Sequence, residues 1–212
     1  MNEKNKDVCA TVNIYDGEKI TKISESGKEA SLGHLYGLCT LYLGMKPDQH
    51  EFKVMGLAPY AKKDKVEELY PLFKELIWLD DLEFKSKFRI QYADFYLNKA
   101  GRYKRFDNIA GGIQKLTEDL TLQWIKNGIK KTNIKDIALS GGVFLNVKAN
   151  QKISELEEVK SIFPMPSSGD ECTPIGACLY GYMNYCKEKN KKFNPIPITD
   201  LYLGPEYSEK EI

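Results

Sequence analysis

The sequence contains no apolar run near the roughly eighteen residues that cross a bilayer, and its opening MNEKNKD lacks the apolar core of a signal peptide. These absences predict a cytoplasmic protein with no membrane partner. An excess of one charge is missing too. The 31 Lys and Arg side chains are matched by 30 Asp and Glu, a net +1, so no field attracts nucleic acid or an anionic lipid surface. The basic cluster Lys187–Lys192 reads as a solvated helix end. Cysteines are few and odd in number: Cys9, Cys39, Cys172, Cys178 and Cys186 form no CxxC pair, which argues against a disulfide framework. Cys39 and Cys178 read as buried thiols on apolar helix faces, and Cys172 alone sits in a motif that bears on chemistry. The two histidines, His34 and His50, form no HxxxH or HxxH pair, and His34 reads as a packed or capping residue. There is no GxxxxGK[ST] loop and no serine in a nucleophile-elbow setting, which sets aside P-loop and hydrolase-triad chemistry.

What is present alternates between strand and helix. Val8–Tyr15 is a β-branched strand, Asp16-Gly17-Glu18 a hairpin turn, and Glu18–Ser24 the returning strand. Ser31 is placed to cap a helix over Leu32–Leu43, whose Leu32, Leu35, Tyr36, Cys39 and Leu43 share a face, with Gly44 to stop it. Glu51–Tyr60 has no clean period and reads as a bent, packed loop. A short helix and a Tyr/Phe-rich stretch follow, and residues 64–105 read as an α-helical insertion. Phe106–Lys130 is a long amphipathic helix with Ile109, Ile113, Leu116, Leu120, Trp124 and Ile125 inward. Strands at Lys135–Leu139 and Val159–Phe163 alternate with helices at Asn146–Leu156 and Pro174–Lys187, and the proline-rich tail reads as a linker. The fold class predicted is α/β, a mixed central sheet covered by helices.

Three loops at strand ends carry the candidate chemistry. In IALSGGVFLNVKAN (Ile137–Asn150) two glycines remove Cβ atoms where a phosphate or ribose would approach, ahead of a helix N-terminus that favours anions. Asn146 and Asn150 lie one turn apart and are placed to face either the same pocket or the next strand. In PMPSSGDECTPIG (Pro164–Gly176) Asp170 is a carboxylate on a small-residue loop, a common oxygen ligand for a cation. The third is Tyr15-Asp16-Gly17. Each also has an ordinary reading: a tight crossover turn, a helix cap, a hairpin turn. Loops at the carboxyl ends of strands converge at one sheet edge where ligands bind, and that convergence favours one site built from Asp16, Gly141-Gly142 and Asp170.

Taken in order, SLGHLYGLCTLYLGM, HEFKVMGLAPYAKK, FDNIAGGIQKLTEDL, LSGGVFLNVKANQKI, PSSGDECTPIGACL and the tail YLGPEYSEKEI resemble the blocks of the carbamoyltransferase family that includes nodulation protein U and the cephalosporin and tobramycin O-carbamoyltransferases. The resemblance implies the second lobe of an actin-like (ribonuclease-H-type) ATPase fold over residues 8–196, partnered by an N-terminal lobe outside these residues, with 197–212 leading toward a C-terminal adenylate-forming domain. It implies an enzyme that uses carbamoyl phosphate and ATP, through carbamoyl-adenylate, to carbamoylate a hydroxyl of a sugar- or antibiotic-like acceptor. By the same resemblance Asp16 and Asp170 bind a divalent metal, typically iron. Gly141, Gly142, Val143 and Asn146 contact the nucleotide, Lys53, Gly56 and Tyr60 line the same cleft, and Lys53 and Asp170 carry the chemistry. The family's His-x-x-x-His metal pair and its adenylate-forming domain are expected outside these residues, and a homodimer is among the partners weighed. Ala61 and Glu171-Cys172 stand where the family commonly has smaller residues. Two other readings remain, a non-catalytic nucleotide-binding module and a kinase of the same fold.

Overall fold

The computed structural model describes residues 7–198 and 204–211, so part of the 197–212 linker lies outside the described residues. The chain is mixed α/β, with helices and small sheets. Strands β1 (Val8–Tyr15) and β2 (Ile20–Gly27) form the predicted hairpin. Its turn closes because Asp16 Oδ1 accepts the amides of Glu18 and Lys19, at 3.0 and 2.9 Å. Helix α1 (Leu32–Tyr42) starts where expected, with Ser31 Oγ accepting the His34 amide at 3.1 Å. Leu32, Leu35, Tyr36 and Cys39 are buried along it, and Gly44 follows its end at φ 75°.

Glu51–Tyr60 is not a loop. It forms helix α2 (Glu51–Leu57) and then a 3₁₀ turn, Ala58–Tyr60. Its packing is also lighter than expected: Val54 is buried while Phe52 and Tyr60 are exposed. Glycine and proline obscured a short helix that Glu51 opens and Pro59 ends. The 64–105 insertion is not purely helical either. Helix α3 (Lys63–Lys74) leads into a hairpin of β3 (Ile77–Asp80) and β4 (Glu83–Ser86), then helix α4 (Ala93–Ala100). The hairpin turns at Asp81, φ 52°, and buries Ile77, Leu79 and Phe84. Two inward residues per four-residue strand make a period-2 signal too short to stand out from the surrounding aromatics.

Helix α5 (Phe106–Thr132) is the spine, 27 residues or about 40 Å long. Its first half enters the larger core with α1, α3, β3, β4 and α4 through Ile109, Ile113, Leu116 and Leu120. Its second half enters a smaller core, through Ile125 and Ile129, with Leu139, Phe144 and Ile153. Close approach to α3 needs Gly112, where a Cβ would lie 2.6 Å from Phe73 Cε2. Asp107, in the first turn, is bound by the Arg105 guanidinium, which holds its carboxyl below the usual carboxylate range. A depressed folded pKa gives stability above the unfolded value that is lost as pH falls through the folded one. Stability should therefore fall as pH drops from the ordinary carboxylate range toward the lower folded value, and Asp107→Asn, which lacks the ion pair, should modestly lower neutral-pH melting and flatten that limb. Melting curves at stepped pH check this, and an unaltered acid limb would refute it.

The strands do not merge into one central sheet. Among the described residues there are three two-stranded sheets, β1–β2, β3–β4 and the parallel pair β5 (Asp136–Leu139) and β6 (Ser161–Pro164). Helix α6 (Val147–Ser154) joins the last two strands, and α7 (Cys172–Glu188) follows them. The four-residue strands β5 and β6 and the largely solvent-facing β1–β2 present separate edges rather than a shared, doubly covered layer. On α7 Cys186 is buried, whereas Cys178 is exposed; the predicted burial of Cys178 is corrected. Tyr180, Tyr182 and Tyr185 on α7 are also exposed.

Candidate functional site

A cleft of about 750 Å³ opens between α1, the start of α2, the middle of α5 and two loops at the carboxyl ends of β5 and β6. The first loop is Ser140–Asn146. Gly141 sits at φ 107°, ψ 152°, a region that side chains other than hydrogen all but exclude. A 3₁₀ turn, Gly142–Leu145, follows, and Asn146 caps α6 by accepting the Ala149 amide at 3.0 Å. Open space lies over Gly141 and Gly142.

The second loop runs from Pro166 to Glu171 and is tied to the first. The Gly141 amide donates to the Ser168 carbonyl at 2.9 Å, and Ser140 Oγ lies 3.1 Å from Cys172 Sγ. Ser168 is almost fully buried, Ser167 takes φ 52°, and the Cys172 thiol donates to the Gly169 carbonyl at 3.0 Å. Gly169, exposed Asp170 and Glu171 reach the cleft. The two loops thus form one backbone-linked rim.

The opposite wall is mixed: Leu38 and Leu41 from α1 and Phe52 and Met55 from α2 stand beside His34, Asp48 and Glu51. Gly33 brings α1 within 3.2 Å of Val143 Cγ2, measured from the position its Cβ would take. The floor holds Thr117, Thr121, Trp124, Phe84 and Phe144. Trp124 stacks on Phe144 (6.4 Å, 7°), meets Phe84 edge-on at 5.1 Å, and donates Nε1–H to the Leu82 carbonyl at 3.0 Å. It touches both cores. Tyr36 lines the cleft with its hydroxyl bound to Gln114; burial, with the charges of Glu118 and Glu51 adding, pushes its pKa up, and it stays protonated.

The residues expected at a site divide into two groups. Gly141, Gly142, Val143, Asn146 and Asp170 all line the cleft. Asp16, Lys53, Gly56 and Tyr60 do not. Asp16 is at the hairpin tip, where the Lys19 and Glu18 amides hold its carboxyl below the usual range. Lys53 is exposed, its Nζ 5.8 Å from the Phe52 ring centroid at the cleft wall. Asn150 does not face the pocket; its Nδ2 donates to the Phe144 carbonyl at 2.7 Å and holds the loop from behind. Among the described residues no three His, Cys, Asp or Glu side chains form a group able to hold a metal. Tyr36, Thr117, Thr121 and Trp124 are cleft residues that residue-type reasoning passed over. The signal was the i, i+4, i+7 spacing of 117, 121 and 124, with two threonines breaking an apolar helix face.

Among the described residues no helix is long and apolar enough to cross a membrane. A family model described as the carbamoyltransferase N-terminus matches residues 8–179, a span that contains both rim loops. An uncharacterized protein of Synechocystis sp. is 29% identical over 228 residues, covering 96% of this chain and 36% of the relative. Nodulation protein NolO of Bradyrhizobium diazoefficiens is 26% identical over 207 residues, covering 93% of this chain and 36% of that protein. A tRNA N6-adenosine threonylcarbamoyltransferase of Borrelia hermsii is 39% identical over 83 residues, 38% of this chain and 23% of that protein. The chain spans about a third of the length of the first two of these relatives. With a model match over most of its length, the chain belongs to the carbamoyltransferase family, within that family's N-terminal region.

Proposed function

We propose that this chain is the nucleotide-contacting lobe, actin-like in fold, of a cytoplasmic O-carbamoyltransferase. The enzyme uses carbamoyl phosphate and ATP, through carbamoyl-adenylate, to carbamoylate a hydroxyl on a sugar- or antibiotic-like acceptor. The observation that carries this reading is the paired rim: a glycine at φ 107° in the first loop, hydrogen-bonded to a second loop that presents Asp170. The open space over Gly141 and Gly142 lets a phosphate approach the loop, and the aromatic floor with Phe52 and Met55 suits a base or ring.

In the transfer step the acceptor oxygen attacks the carbamoyl carbon, the carbon–oxygen bond to AMP breaks with its electron pair leaving on AMP, and the hydroxyl proton passes to the Asp170 carboxylate and on to water. Asp170 accepts the hydrogen bond of that hydroxyl and orients it. Lys53, exposed beside Phe52, offsets negative charge at the cleft mouth. The residues described here do not complete a metal site, so an iron or other divalent ion would need donors from elsewhere, with Asp170 as the ligand available in the cleft.

The test is turnover by the intact polypeptide. ATP should yield AMP and pyrophosphate only when carbamoyl phosphate is present, with the carbamoyl group passing to a hydroxyl acceptor. ADP with a phosphorylated acceptor would establish a kinase instead. Nucleotide binding without turnover across an acceptor screen would leave a non-catalytic module.

A further inference from the structure

Behind the first loop, side chains from α1, α5 and α6 join in a buried network centred on Gln114, which is 5% exposed. Its Nε2 donates to Asn146 Oδ1 at 3.1 Å and to Glu118 Oε1 at 2.8 Å. Its Oε1 accepts from Asn146 Nδ2 and from Tyr36 Oη, both at 2.9 Å. All four hydrogen-bonding positions of the amide are thereby used. Glu118, itself 9% exposed, also pairs with Lys152 of α6. Asn146 Oδ1 accepts from Gln114 and from the Ala149 amide together.

This arrangement exceeds what folding of the helices needs. An apolar residue at 114 would fill the buried flank beside Ala110, Thr117 and Thr121, and the Ala149 amide alone would satisfy the cap of α6. A polar side chain buried with every bond made is instead a device for fixing one geometry. Here the fixed object is Asn146, the last residue of the glycine loop. Gln114 does not line the cleft, whereas Asn146 and Tyr36 do.

We propose that Gln114 is a positioning residue: through its reciprocal amide pair with Asn146 it holds the Gly141–Asn146 loop in its nucleotide-competent shape. The proposal rests on the nucleotide reading of the cleft. The titratable groups facing Gln114 are Glu118 on α5, Lys152 on α6 and Tyr36 on α1.

Gln114→Glu and Gln114→Leu, made in the full chain, test it through ATP affinity and amide hydrogen exchange. A carboxylate at 114 repels Glu118 and cannot donate to Asn146, whereas a protonated carboxyl restores a donor and an acceptor. The Gln114→Glu chain should bind ATP about 10-fold more weakly than the parent near pH 8, and within about 3-fold of it near pH 5.5. A purely structural role predicts that the ATP deficit at each pH is matched by a fall in melting temperature across the whole chain, and that result would overturn the proposal, as would parent-like affinity in Gln114→Leu. Without nucleotide, the amides of Phe144, Asn146 and Ala149 should exchange about 10-fold faster in Gln114→Leu while β1–β2 is unchanged. Uniform acceleration, or none, would refute positioning. A parent chain that binds no ATP would refute the nucleotide reading, and the exchange comparison would still decide the positioning.

Discussion

Valine at Gly141 is expected to weaken ATP binding by about 10- to 100-fold while leaving both cores folded. The argument is conformational. At φ 107°, ψ 152° the backbone occupies a region that is essentially glycine's alone, and forcing a side chain into it costs about 1–3 kcal/mol. Nothing lies within 4 Å of the added Cβ, so a clash contributes little and the penalty falls on the loop itself. The loop can escape it by flipping. That would break the Gly141 amide bond to Ser168 and the Phe144 amide bond to Gly141, separating the two rim loops. Gly142 also has open space but no positive φ, so Gly142→Ala should stay within about 3-fold of the parent. Calorimetric titration with ATP, alongside thermal melts, separates lost binding from lost fold. Parent-like affinity in Gly141→Val would mean that the nucleotide does not rest on this loop.

Ile113→Ala should be the most damaging single truncation, at about 2–5 kcal/mol of the roughly 5–15 kcal/mol that stabilises a domain. Ile113 is fully buried in the larger core, near the middle of α5. Its neighbours belong to several elements, and the cavity cannot close by moving one side chain. Ile125, 9% exposed and in the smaller core, should cost distinctly less when truncated to alanine. Denaturant midpoints read both, and an unchanged slope shows that stability rather than the unfolded state has moved. Equal losses at 113 and 125 would refute the picture of one dominant core and one minor core strung along α5.

Much of this was legible from local pattern. The Ser31 cap, the inward face of α1 and the stripe Ile109–Ile113–Leu116–Leu120 are periodic and local, and the structure reproduces them. The β3–β4 hairpin was hidden because eight residues in two strands carry little periodic information. Its role in placing Phe84 under Trp124 is a contact across 40 positions of sequence. The separate sheets and the exposed apolar residues of α7 depend on which edges meet, and spacing does not encode that. At the site, glycines and a carboxylate at strand ends could be picked out by residue type, and Gly141, Gly142 and Asp170 share the cleft. Asp16, Lys53 and Tyr60 share chemistry with that cleft but not its lining. Gln114 was unreadable as a site residue, because one glutamine on the Thr117–Glu118 flank of α5 looks like helix surface until its four hydrogen bonds to Tyr36, Glu118 and Asn146 are seen.

The most direct measurement is titration of the ¹⁵N-labelled chain with ATP, following each backbone amide. The account predicts the largest shifts at Gly141, Gly142, Val143, Gly169 and Asp170, with small changes at the Asp16–Lys19 turn. Saturating ATP that leaves those amides unmoved, or that shifts the α3–β3–β4 region instead, would contradict it.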